Sequence, residues 1–161
     1  MISRGEKQMI KVEEVTTEQQ RGKFGGTFPV RLVSDFRKSQ EYYRDVLGCE
    51  ISNWGHVTRD DMTVILQQAV SNDDVRPNAV SKKRPDYPTE FEGPDHGWDS
   101  FVHVEWDDLD LIVEEVRSRG GIIAVEPFVN SHGKWEFRNA HLSDPDGYNI
   151  VLGGMRERVN S

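Results

Sequence analysis

The sequence predicts an α+β fold made of two similar halves. Three observations predict it. The order strand, acidic cap, amphipathic helix, glycine stop and strands occurs twice. The stretch from Asp35-Phe36 to Gly48 and that from Asp108-Leu109 to Gly120 match in length within one residue. A repeat of this size means two related modules that pack or join, not a solenoid. The third is bulk: a chain of 161 residues suits one domain and buries roughly 70% of the surface its unfolded form exposes.

The first module is expected over about residues 26–70. FPVRLV reads as a strand, with Phe28, Val30 and Leu32 on one face and Pro29, Arg31 and Val33 on the other. In SDFRKSQEYYRDVLGCEI, Ser34 or Asp35 caps a helix, because a side-chain oxygen there accepts a free backbone N–H. Phe36, Tyr43, Val46 and Leu47 share one helical face. Gly48 ends the helix, where a left-handed residue costs least without a Cβ. CEISNWGHV and MTVILQQAV then read as two strands joined through TRDD.

Residues 71–98 are polar, hold Pro77, Pro85, Pro88 and Pro94, and show no periodicity. They read as a long connection that also covers a cavity.

The second module is expected over about 99–154, within a domain spanning 26–156. SFVHVEW is a strand. DDLDLIVEEVRSRGG is a helix capped by Asp107 or Asp108, with Leu109, Ile112, Val113 and Val116 on one face. IIAVEPF is a short strand. KWEFRNAHLS and YNIVLGG form a hairpin through Asp144-Pro145-Asp146-Gly147, where Pro presets φ and Gly supplies φ > 0. Asp144 and Asp146 read as turn formers. Residues 1–25 read as a polar tail with a short strand at MIKVEEV.

Net charge is -8. An acidic chain repels phosphate backbones and anionic membranes, which argues against nucleic acid as a partner. No apolar run is long enough to cross a bilayer, and MISRGEKQMIKVEE lacks the apolar core of a signal peptide. A cytoplasmic location is the expectation. The single cysteine, Cys49, excludes an internal disulfide and reads as a small buried apolar residue.

Three of these segments resemble the vicinal oxygen chelate superfamily of glyoxalase I, bleomycin-resistance proteins and extradiol dioxygenases. They are SDFRKSQEYYRDVLGCEI, SFVHVEWDDLDLIVEEVRSRGG and SDPDGYNIVLGG, in that order. The resemblance covers about residues 27–154. It implies two βαβββ modules forming a curved mixed sheet around a cavity, commonly in a homodimer. In metal-dependent members four strands each supply a His, Glu or Gln. Carried over one at a time, those positions fall on Phe28, on Leu66 or Gln67, on Phe101 and on Val151. At least three of them hold no lone pair. The resemblance therefore implies a member without the usual metal or any other cofactor, binding an aromatic or amphipathic small molecule in an apolar cavity.

The candidate ligand-binding residues are Phe28, Trp54, His56, Phe101, His103, Trp135, Phe137, Arg138 and Val151. Trp54 with His56, and Trp135 with Phe137, each share a strand face, and aromatic walls bind planar ligands. Ordinary core packing explains them equally well. Arg138 could hold a ligand carboxylate or make a structural salt bridge with Asp144 or Glu136. His103 and Glu105 are the candidate acid–base pair should the protein be a lyase, isomerase or dioxygenase. A hydrogen-bonded strand histidine is the plainer reading.

Overall fold

The computed structural model describes residues 20–78 and 98–159. The expected strand at MIKVEEV and most of the long connection lie outside them. The first module is β1 (Val30–Val33), α1 (Phe36–Asp45), β2 (Glu50–Ile51), β3 (Val57–Arg59) and β4 (Met62–Gln68). The second is β5 (Ser100–His103), α2 (Asp108–Ser118), β6 (Ile122–His132), β7 (Trp135–Ser143) and β8 (Asn149–Glu157). Each module is βαβββ, as the resemblance implies. Each forms a four-stranded sheet of the same order, β1-β4-β3-β2 and β5-β8-β7-β6, with its first and last strands parallel.

Local chemistry explains where the elements start and stop. Asp35 caps α1 by accepting a hydrogen bond from the Lys38 amide at 3.0 Å. Ser34 serves elsewhere: its amide and hydroxyl both donate to the Asp146 carboxylate, at 3.0 and 2.5 Å. Gly48 and Gly120 follow the helices at φ of 72° and 80°, as expected.

Two strand expectations need correction. CEISNWGHV is not one strand but two. The Ser52 hydroxyl accepts the amides of Trp54 and His56, and Gly55 turns at φ 81°, so residues between β2 and β3 form a turn. The strand at IIAVEPF does not stop at Pro127. Register shifts between Ile123 and Phe128 carry β6 past it to His132. Proline is tolerated there because, among the described residues, β6 is an edge strand with no outer neighbour to receive its missing N–H.

The inner faces of both sheets and the apolar stripes of both helices feed one core. Val33, Val57, Val64 and Leu66 come from the first sheet, and Ala140, Leu142, Ile150 and Leu152 from the second. Tyr43 and Leu47 of the first helical segment meet Leu109, Val113 and Val116 of α2 there. Cys49 is buried among them, and burial pushes its thiol up to about 11, so it is no nucleophile. Gly121 permits the closest approach. A Cβ there would lie 2.4 Å from Val116 and 2.7 Å from Val46, so glycine lets the two modules touch.

Polar side chains pin the modules together. The Tyr42 hydroxyl donates to the Ser143 carbonyl at 2.8 Å and accepts the Ile122 amide at 3.0 Å. Tyr43 donates to the Asp144 carboxylate at 3.0 Å, and the Asp146 and Tyr148 amides donate to its other oxygen. Asp144 is a turn former, as expected, but it is also fully buried. Burial raises its pKa to about 6, against the opposing pull of those three hydrogen bonds.

That shift fixes a pH dependence. The folded protein holds the Asp144 proton more tightly than the unfolded chain does. The stability from protonation is complete below about pH 4 and is lost as pH rises through about 6, on the order of 2–3 kcal/mol in all. Asp144→Asn mimics the protonated form. Its stability relative to the native chain, measured by urea unfolding, should therefore rise between pH 4 and pH 7. A constant difference would mean the carboxylate is not desolvated.

Candidate functional site

The first strands of the two modules, β1 and β5, are edge strands of separate sheets. They are joined by side chains rather than by a ladder. The Arg31 guanidinium donates to the Asp99 carbonyl and, at 2.8 Å, to the Ser100 hydroxyl. Arg31 also lies over the Tyr148 ring, whose hydroxyl donates to the Leu32 carbonyl at 2.7 Å. Arg31 therefore holds the junction.

Between these edges opens a cleft of about 700 Å³. Both modules line it. Phe28 and Met62 come from the first, and Phe101, Val102, Ile112 and Leu152 from the second. Its polar rim carries Arg59, Asp60, Asp61, Asp99 and His103. Arg59 is committed, donating to Glu115 at 2.7 Å and to the Leu47 carbonyl at 3.0 Å. An apolar, half-open cleft with a thin polar rim suits small-molecule binding.

A second surface is the open face of the second sheet. Strand register places Phe101, Val151, His141 and Val125 in one row across all four strands. The next row holds His103, Gly153, Asn139 and Phe128. The Phe101 ring lies over Gly153, where a Cβ would come within 2.5 Å of it. Trp98 stacks on Phe101 with centroids 5.5 Å apart.

The chain carries a known fold signature. The profile of the Glyoxalase/Bleomycin resistance protein/Dioxygenase superfamily matches residues 28–152. The chain belongs to that superfamily. Solved structures agree on the fold. A glyoxalase/bleomycin resistance protein/dioxygenase from Alicyclobacillus acidocaldarius superposes with a TM-score of 0.57 at 12% identity, covering 84% of this chain and 94% of that one. The fosfomycin resistance protein FosX from Listeria monocytogenes gives 0.52 at 10% identity, covering 83% and 94%. A protein from the mobile metagenome of V. Pseudocholerae gives 0.51 at 18% identity, covering 83% and 97%. No curated protein matches the chain at a significant level.

Superfamily membership implies a possible metal, and the side chains test it. Phe28, Phe101 and Val151 are the residues to which the resemblance carries three of the four positions. The fourth is corrected by the register. Leu66 pairs with Arg31 and is buried in the shared core, so it faces the helices. Gln67, paired with Leu32, lies on the open face instead. Two phenyl rings, an isopropyl group and one amide do not fit a divalent ion. Among the described residues, no three His, Cys, Asp or Glu side chains group as a metal site would require.

The other expected site residues separate. Phe28, Phe101 and His103 line the cleft. Trp54 does not share a strand face with His56, because it sits in the turn between β2 and β3 and is 85% exposed. Val151 cannot line an open pocket, because it is fully buried between Phe101 and His141. Phe137 lies on the open face beside Met155, away from the cleft. Trp135 is capped by Lys134 at 5.2 Å from its ring.

Arg138 is structural. It pairs with Asp110 at 2.5 Å, not with Asp144 or Glu136, and donates to the Trp106 carbonyl at 3.2 Å. The Trp106 ring is flanked by Arg138 and, at 4.0 Å, by Arg156. His103 and Glu105 are 4.0 Å apart and both largely exposed. Both side chains stand in solvent rather than in the enclosed setting typical of a catalytic acid–base pair.

Gly153 sets the aromatic face, so it is a sensitive position. Gly153→Ala should displace Phe101 and lower stability by about 1–3 kcal/mol, the usual cost of overpacking. Tryptophan fluorescence of the variant should also shift, because Trp98 rides on Phe101. An unchanged spectrum with unchanged stability would mean the ring has room to move.

Proposed function

We propose that this protein binds a small aromatic or amphipathic molecule in the cleft between its modules, without a metal. The carrying observation is the apolar lining of that cleft, where Phe28 and Phe101 stand at two positions to which the resemblance carries metal donors. Phenyl rings have no lone pair to give an ion, so on this reading those positions do not support Lewis-acid chemistry. What these residues do supply is apolar surface. The lining of Phe28, Met62, Phe101, Val102, Ile112 and Leu152 supports a greasy, flat guest held by burial.

A thermal-shift screen of aromatic amphiphiles tests this reading. A ligand at a hundred times its Kd stabilises the fold by about 2.7 kcal/mol. For a domain of this size that is a rise in Tm on the order of 5–10 °C. Met62→Trp, which fills the cleft from β4, should abolish the rise. Nickel, zinc, iron and manganese should leave Tm unmoved. A stoichiometric ion retained through purification, with a histidine ligand, would overturn the proposal.

We also propose a homodimer. Val30 and Leu32 present exposed apolar side chains on the open face of the first sheet, and exposed Phe28 precedes them just before β1. Monomers rarely leave such a row uncovered. A second copy of this chain, carrying its own exposed Phe101 and Met155, is the proposed cover. Light scattering should give twice the chain mass, and Leu32→Lys should shift it to the monomer. A native chain that stays monomeric at high micromolar concentration would remove this part of the proposal.

A further inference from the structure

The chain ahead of β1 is an arm with no partner. Residues 21–26, RGKFGG, are exposed and belong to no helix or strand. Phe24 is 99% exposed. Among the described residues, Arg21, Lys23 and Phe24 make no hydrogen bond, ion pair or ring contact. A Cβ built on Gly22 or Gly25 would meet nothing within 4 Å. Single exposed apolar side chains are ordinary. What sets Phe24 apart is where its arm is rooted.

The root of the arm is a wall of the cleft. Thr27, Phe28 and Pro29 all line it. Phe24 precedes Thr27 by three residues, so about 10 Å of extended chain separates it from the lining. The Phe28 ring already lies against Gly26, where a Cβ would come within 3.3 Å of it. Glycine there lets the arm pass close over that wall. The adjacent pair Gly25 and Gly26 also leaves the backbone free to turn inward.

The chemistry of the arm matches that of the cleft. Phe28, Met62, Phe101 and Ile112 offer apolar surface, against which the Phe24 ring leaves water. Asp60 and Asp61 stand exposed on the rim, at the tip of the hairpin between β3 and β4. The rim's own guanidinium, Arg59, is held by Glu115 at 2.7 Å. Arg21 and Lys23 are the only charged residues from 20 to 29, and both are positive. Each such surface pair contributes little, so the charges orient the arm and the ring supplies the attraction. A tether this short also holds the ring at an effective concentration on the order of millimolar, which favours this chain's own cleft over that of a second copy.

We propose that the arm of residues 21–26 is an autoinhibitory segment. It folds from the open position seen in the structure into the chain's own cleft. Phe24 then lies against the apolar lining, and Arg21 and Lys23 lie at the acidic rim. A small molecule entering the cleft must displace it. The inference rests on the cleft being a binding site, as proposed above.

The test uses the full chain and two readouts. The first is N-phenyl-1-naphthylamine, a neutral aromatic probe that brightens on leaving water. An arm that fills the cleft weakens a competitor in proportion to the free fraction, so Phe24→Ser should bind the probe about three- to tenfold more tightly than the native chain. The second is a fluorine placed on the Phe24 ring. Its resonance should be shifted from that of the free peptide of residues 20–27, and Met62→Trp should return it to the peptide position. A native resonance that already matches the free peptide overturns the inference. So does a probe that binds native and Phe24→Ser chains equally, and if Met62→Trp abolishes that equal binding the cleft reading stands without the arm. If the probe binds neither chain, the cleft reading loses its support and the fluorine alone decides. A shifted resonance released by Met62→Trp then supports the arm, and a free-peptide resonance overturns it. A shift that fades on dilution puts the ring in a second copy, which overturns the self-contact.

Discussion

The rest of the structure depends on a single shared core. Neither helix has a sheet to itself. Tyr43 and Leu47 lie in the same cluster as Leu109, Val113 and Val116, between the inner faces of both sheets. Burying a side chain of this kind contributes about 1.5–3 kcal/mol, so the cluster dominates the favourable side of folding. The cost is geometric. Leu152, on the inner face of the second sheet, belongs both to the core and to the cleft wall, so the cleft opens against the core itself. The cleft opens where the edges β1 and β5 part, and the aromatic array sits on an outer face. The core thus decides where function can be.

Polar contacts then fix the modules relative to each other. Apolar packing alone is non-directional and tolerates sliding. Tyr42, Tyr43, Asp144 and the Ser34–Asp146 pair do not tolerate it, because each bond is lost if the modules shift by an ångström or two. Three of these contacts converge on Ser143, Asp144 and Asp146, in and beside the turn between β7 and β8. That turn was chosen by the chain for two purposes: Asp144-Pro145-Asp146-Gly147 closes a hairpin and also presents carboxylates to the other module.

The repeat made the fold legible. Caps at Asp35, stops at Gly48 and Gly120, and the helical stripes follow local rules, and local rules are readable from one sequence. The errors came where the tertiary setting overrode them. Ser52 and Gly55 broke an expected strand with a turn closed by a side-chain hydroxyl, and edge position let β6 run through Pro127. The site was less legible. The structure sets Phe28, Phe101 and His103 along the cleft, and it pairs Arg138 with Asp110 on α2, a partner that no local rule in the sequence signals. Leu66 and Gln67 differ by one position, and only pairing with β1 decides which faces the core.

On the proposed reading, the phenyl rings of Phe28 and Phe101 offer a highly charged guest no field that would repay its desolvation. Affinity must then come from area and shape, which discriminate poorly between flat molecules.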